Sequence, residues 1–345
     1  MDCLPVGRQA SSPAAPRNDT ANDMLKKFSS FFIRFGLSFI LLAYLFSKID
    51  RQKTLEVIRS ADAAFLFWAF MVFLVNNALL LLRWRIMMRG LKLKVPLLQA
   101  ARSHLIGLFG NLFLPSSIGG DILKALTLCK QSQQRTKVVA SILLDRLNGF
   151  SGIVTVALVS FAAGYRMIGD PGLILPVVIL GGVSALGAFV LFNRRAYETV
   201  CGIVNAFPKF KAKLIMMHDD VVLLKRNPQY GFMAFAAALG TQLLFICAFY
   251  LIARALGQDV ALGYFFVFVP LICVASFVPS IGGLGVREAG AVFLFSRIGV
   301  ASEAAVSMSL MTFLFMLIIG LTGGLVYVAT LYSRRVQCPS QNPVS

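Results

Sequence analysis

Apolar runs of about 20 residues, joined by short basic connections, constrain this chain more than any other feature, because a helix of that length crosses the hydrocarbon of a bilayer. Six such runs are read at about 28–47, 62–82, 140–163, 172–192, 231–252 and 304–331. Two further apolar stretches, about 97–138 and 261–299, are interrupted at their centres by Pro and Gly. Broken backbone at membrane depth leaves peptide groups unpaired and persists only where protein or a water-filled cavity surrounds it. These two stretches are therefore expected as re-entrant helical hairpins. The fold class that follows is all-α, a polytopic integral membrane protein with six full transmembrane helices and two hairpins.

Composition agrees. Hydrophobic residues make up 58% of the chain, the mean hydropathy is +0.78 and only 14% of residues are charged, whereas ordinary soluble domains hold roughly 45–50% apolar residues. Lys and Arg number 33 against 15 Asp and Glu, a net charge of +18. Such a charge on its own would suit nucleic acid, but the cations flank apolar runs instead of forming a basic domain, so no nucleic-acid partner is expected. Lys26 and Lys27, Arg83 to Lys94, Lys130 to Lys137, the connection 193–230 and Arg334 and Arg335 all fall on one side if the N-terminus is inside. The positive-inside rule makes that side the cytoplasm, with both termini there. A cell membrane location follows, a bacterial inner membrane by this reading. Lys48, Arg51, Lys53 and Arg59 depart from the pattern and would sit outside.

Residues 1–24 are rich in Ser, Pro, Ala, Asn and Asp and read as a disordered cytoplasmic tail, residues 25–335 as one transmembrane domain and 336–345 as a second cytoplasmic tail. The connection 193–230 mixes apolar and basic residues and suits either an interfacial amphipathic helix or a solvated linking helix. The six Cys show no CxxC spacing, and His104 and His218 stand far apart. Neither a metal nor a cofactor is expected.

An internal repeat carries the functional signal. Phe113-Leu114-Pro115-Ser116-Ser117-Ile118-Gly119-Gly120-Asp121 resembles Phe277-Val278-Pro279-Ser280-Ile281-Gly282-Gly283-Leu284-Gly285. Each copy lies inside a broken apolar stretch between two full spans. The charge-derived topology opens the first hairpin from the cytoplasm and the second from outside, so repeats over about 62–163 and 231–331 are inverted. Inverted-repeat transporters place their sites near the midplane at broken helices. Pro removes a backbone donor, paired Gly allows close approach, and freed amides at a half-helix N-terminus receive an anion. The plainer alternative is a tight turn in each hairpin. Asp145, Arg146, Asn148, Arg287, Glu288 and Glu303 stand at membrane depth, where ionised groups usually pair and line a pathway. Asp145 and Arg146 are candidates for a pair with each other. Asn76 and Asn77 suit interhelical hydrogen bonds, and Gly320 and Gly324 have the spacing of a close helix contact.

Three motifs together are similar to the lysylphosphatidylglycerol synthase transmembrane-region family. They are Asn111-Leu112-Phe113-Leu114-Pro115 leading to Gly119-Gly120-Asp121 and Lys124-Ala125; Asp145-Arg146; and Val278-Pro279 leading to Gly282-Gly283-Leu284-Gly285-Val286-Arg287-Glu288-Ala289. Lys124 stands where Arg is more usual in that family and Asp145 where Glu often stands, both with charge kept. The resemblance implies movement of a polar lipid headgroup between leaflets and no enzymatic activity of the membrane region alone. It implies membrane lipids as partners: an anionic phospholipid, a hopanoid or a polyprenyl-linked substrate, with a homo-oligomer or a pathway glycosyltransferase as further partners. Asn111, Pro115, Gly119, Gly120, Asp121, Lys124, Asp145, Arg146, Pro279, Gly282, Gly283, Gly285, Arg287 and Glu288 are the expected binding or pathway residues. Arg146, Lys124 and Arg287 would bind phosphate, while Asp121, Asp145 and Glu288 balance charge or carry protons. A non-transporting scaffold for a glycosyltransferase or lipid-modifying pathway is the alternative. A transferase acting on a lipid phosphate is a third reading, weakened by the lack of an Asp-rich metal motif or a nucleotide-binding loop.

Overall fold

In the computed structural model, residues 50–113, 119–129, 134–168, 182, 227–276 and 283–336 are described. The expected spans at 28–47 and 172–192, both tails, the connection through 226, and Pro115, Pro279 and Gly282 lie outside the described residues. Those described form α-helices and short turns, with no strand among them.

Helix α1, Arg51–Arg59, and helix α2, Ala63–Gly90, begin by the same device. Asp50 Oδ1 accepts from the amides of Gln52 and Lys53 at 2.9 and 3.3 Å, and Asp62 Oδ1 from those of Ala64 and Phe65 at 2.8 and 3.4 Å. Each cap satisfies amides that a helix start leaves unpaired. Arg51, Lys53 and Arg59, three of the four cations that depart from the charge pattern, belong to the short polar α1, and Lys48 lies outside the described residues.

Among the described residues, four helices are long and apolar enough to cross a membrane: α2; α5, Arg135–Ile168; α6, Pro228–Ala255; and α9, Ser302–Val336. They take up the expected runs at 62–82, 140–163, 231–252 and 304–331 and are longer than each. Helix α2 continues past 82 through Arg83, Arg85 and Arg89 because arginine is a good helix former and Arg83 finds a buried partner. The chain is thus a multi-pass α-helical membrane protein.

Both broken stretches resolve into pairs of helices too short to cross alone, given the roughly 20 residues required. The first is α3, Leu97–Phe113, and α4, Gly119–Cys129, of 17 and 11 residues. The second is α7, Leu262–Ala275, and α8, Val286–Phe295, of 14 and 10 residues, with Pro270 inside α7. A short 3-10 turn, Ser296–Ile298, follows α8. Within the first pair, Gly107 faces Gly120 and Lys124, and Gly110 faces Gly120 and Leu123. One helix rises in number as the other falls, so the pair is antiparallel. A Cβ on Gly120 would overlap the Gly107 carbonyl and the Asn111 side chain, which accounts for glycine at that position.

Helices α2 and α6 run antiparallel along their lengths. Asp62 donates its amide to the Ala255 carbonyl at 2.8 Å, Phe73 meets Phe245, and Gly240 meets Leu79. The first helix of each broken pair packs on a long helix from the other part of the chain, α3 on α9 and α7 on α5. Gly320, Gly323 and Gly324 of α9 receive Leu112, Leu105 and Phe109 of α3, so these glycines serve a contact within the chain.

The largest core joins α2, α5, α6, α7, α8 and α9. Phe249, Phe265, Phe268 and Phe295 meet there, with Phe249 stacked on Phe295 at 6.1 Å and Phe268 edge-on to Phe295 at 5.3 Å. The outer face carries Phe67, Trp68, Phe232 and Leu325, each more than half exposed. An exterior of that chemistry requires lipid around it.

Candidate functional site

Asp145 and Arg146 are neighbours on α5 and turn to different partners, since successive helical residues point about 100° apart. Asp145 receives Arg83 of α2 through two hydrogen bonds, Nε to Oδ1 at 2.8 Å and Nη2 to Oδ2 at 3.2 Å. Their side chains are 9% and 12% exposed. Arg146 Nε donates to Asp121 Oδ2 in the first turn of α4 at 2.5 Å. The expected pairing of Asp145 with Arg146 is therefore replaced by two bridges to separate helices.

Lys124, one turn on from Asp121, is buried. Its Nζ lies 3.6 Å from the centre of the Trp84 ring, and no carboxylate forms an ion pair with it among the described residues. Trp84 is oriented by its indole N–H, which donates to Ser141 Oγ at 3.1 Å. Asn111 Oδ1 accepts from the Gly120 amide at 3.2 Å and ties the end of α3 to the start of α4. Gly119 and Gly120 are buried there, and Asp121 in the first turn has the charge that a helix N-terminus favours.

A cavity of about 290 Å³ lies among α2 to α6 and reaches Cys273 of α7. Arg83, Asn111, Asp121, Lys124, Asp145 and Arg146 line it together with Asn76, His104, Thr241 and Gln242. Leaving His104 aside, three cations face two carboxylates, and the surplus is Lys124. A buried surplus cation at a helix pair rich in glycine suits an anion.

Four of the expected residues gather elsewhere, at the start of α8. The Gly285 amide donates to Glu288 Oε2 at 2.6 Å, and Arg287 Nη2 donates to Glu288 Oε1 at 2.9 Å. Ser309 of α9 accepts from Arg287 Nε at 2.8 Å and donates to Glu288 Oε1 at 2.8 Å. Gly283 and Gly285 have φ of 80° and 86°, where a side chain is strained. Arg287 and Glu288 are buried in this closed network and do not line the cavity.

Arg83, His104, Thr241 and Gln242 were not among the expected site residues. Thr241 and Gln242 interrupt an apolar run and carried a readable signal. Arg83 was hidden among cytoplasmic arginines, and His104 by its distance in sequence from any partner. Asn77 donates to the Phe73 carbonyl of its own helix at 2.8 Å, not across helices. Asn148 does cross, donating to the Ala234 carbonyl of α6 at 2.6 Å.

Residues 31–324 match the sequence profile of the lysylphosphatidylglycerol synthase TM region. A UPF0104 membrane protein of Pyrococcus horikoshii is similar, with 23% identity over 304 residues, covering 80% of this chain and 89% of the relative.

Proposed function

Because this chain belongs to the lysylphosphatidylglycerol synthase transmembrane-region family, we propose that it is a lipid translocase of the cell membrane, moving an anionic headgroup between leaflets without chemical change. The observation that carries this reading is buried Lys124, held over Trp84 in a polar cavity whose other charges are paired. A cation–π contact contributes about 2 kcal/mol when desolvated, less than a full buried ion pair, so Lys124 can exchange the ring for a phosphate. Arg146 and Asp121 join α4 to α5 at the cavity wall, and Arg83 and Asp145 join α2 to α5. The antiparallel α2 and α6, with helix pairs exchanged between the last spans, support an inverted repeat with two re-entrant hairpins, and rocking of one repeat on the other is the movement such a fold permits. Arg85, Arg89, Lys92 and Lys94 line one cleft with Tyr230 at the start of α6, which supports a cytoplasmic face at that end.

The test is headgroup accessibility in proteoliposomes: a membrane-impermeant reductant is added to vesicles holding fluorescent lipids. Accelerated loss of the inner-leaflet signal is expected. Lys124→Ala should slow it about tenfold or more, from the roughly 1.5–3 kcal/mol of a charged hydrogen bond, and Lys124→Arg should keep most of it. Equal rates with and without protein, for every headgroup offered, would overturn the reading.

A further inference from the structure

Four cations gather where α2 ends, at a cost to the backbone and to one another. Arg85 and Arg89 stand one turn apart, a spacing at which like charges destabilise a helix. The chain then leaves the helix through Lys92 at φ 54°, the one residue other than glycine with positive φ among those described. The Lys92 amide donates to the Arg89 carbonyl and the Leu93 amide to the Met88 carbonyl, both at 2.9 Å. In that paired closure the left-handed position usually belongs to glycine. A cation stands there instead, and Lys94 follows two residues on. Strain of this kind persists where a function uses it.

Arg85, Arg89, Lys92 and Lys94 line one cleft of about 700 Å³, and no carboxylate lines it with them. Among the described residues the ion pairs join other groups. The end of α2 supplies only about half a negative charge, so the cleft keeps a strong cationic surplus. Its floor is apolar: Met88 and Leu93 are buried and pack with Trp84, and Tyr230 at the start of α6 lines the same space. The apolar part of α2 ends at Leu82. At about 1.5 Å per residue, Arg85 and Arg89 stand roughly 5 and 10 Å beyond it, in the headgroup layer and at its edge. That depth and that floor favour a lipid over a free anion. One phosphodiester answers one charge of the four, whereas two phosphates in one headgroup can engage two pairs of cations.

We propose that this cleft is a binding site for a resident lipid with two phosphate groups in its headgroup, separate from the polar cavity, with which it shares no lining residue. The assignment holds for whichever leaflet this end faces and does not depend on translocation.

Native mass spectrometry of the full chain in detergent counts bound lipid directly, with cardiolipin, phosphatidylglycerol and phosphatidic acid offered in turn. One cardiolipin per chain should bind about tenfold tighter than either monophosphate lipid, the scale of two added charge contacts at a partly exposed site. Lys92→Gly should weaken cardiolipin about fivefold, and Arg85→Gln, Arg89→Gln and Lys92→Gly combined should weaken it tenfold or more. Lys92→Gly should melt no lower than the parent, since glycine suits the left-handed position, so its loss of affinity cannot be put down to misfolding. Arg59→Gln removes an exposed cation of α1 and should leave binding unchanged, which separates the cleft from net charge. Cardiolipin should also raise the melting temperature, as any ligand of the folded state does, and inorganic pyrophosphate should not. Equal affinity for the three lipids, no binding of any, or cardiolipin binding that survives the triple substitution overturns the proposal. Stabilisation by pyrophosphate equal to that by cardiolipin overturns the lipid source. Cardiolipin held by a protein that moves no lipid would leave this site standing and sink the translocase, and transport without cardiolipin binding would do the reverse.

Discussion

Between Arg83 and Asp145 two charges meet where water scarcely reaches, and removing one partner strands the other. Arg83→Ala should lower stability by about 3–5 kcal/mol, the usual cost of breaking a buried pair. Replacing both with leucine should recover most of that loss, as read by thermal melting in detergent. Gly149 explains how the guanidinium fits: a Cβ there would lie 3.0 Å from Arg83 Nη1. Sequence reasoning found Asp145, Arg146, Asp121 and Lys124 because each is charged beside an apolar run or a glycine pair. It did not find their partners, since which carboxylate meets which arginine depends on helix rotation, and Arg83 differs from Arg85 and Arg89 only in the face on which it stands. Registering Gly119-Gly120 on Gly282-Gly283 puts Lys124 opposite Arg287 and Arg146 opposite Ser309. The two similar motifs thus keep a cation at the same place, Lys124 over Trp84 and Arg287 over Phe313 but closed by Glu288 and Ser309.

Glycines separate the helix contacts that tolerate a methyl group from those that do not. At Gly323 a Cβ would overlap the Leu105 carbonyl, which is backbone and cannot turn aside. Gly323→Ala should therefore force α3 and α9 apart and lower stability by about 1–3 kcal/mol. At Gly240 the nearest atom is Leu79 Cδ2 at 3.0 Å, the end of a side chain with room to change rotamer. Gly240→Ala should leave the melting temperature unchanged or raise it, because alanine favours the helix. Long apolar helices were legible in the sequence because length and hydropathy alone define them. Their ends were less so: α2 runs to Gly90 and α5 starts at Arg135, where charged residues extend a helix beyond its apolar part. The helix–break–helix form of both interrupted stretches followed from Pro and Gly, whereas their packing partners are distant in sequence and leave no local mark.

Taken whole, the molecule has one end marked by Arg85, Arg89, Lys92, Lys94 and Tyr230 and another by the turn after α6, where Arg254 pairs with Asp259. Single cysteines at Lys94 and Asp259, in a background without the native cysteines, should react with an impermeant maleimide from opposite sides, Lys94→Cys from the cytoplasm. Labelling of both from one side would refute the assigned orientation. The packing of α3 on the distant α9 also bears on how the protein is made. Phe113 ends α3 and Ser302 starts the helix that covers it; at about 5–20 residues per second a ribosome needs roughly ten to forty seconds to synthesise what lies between. Throughout that interval the face of α3 that ends against the α9 glycines waits for the helix that will cover it.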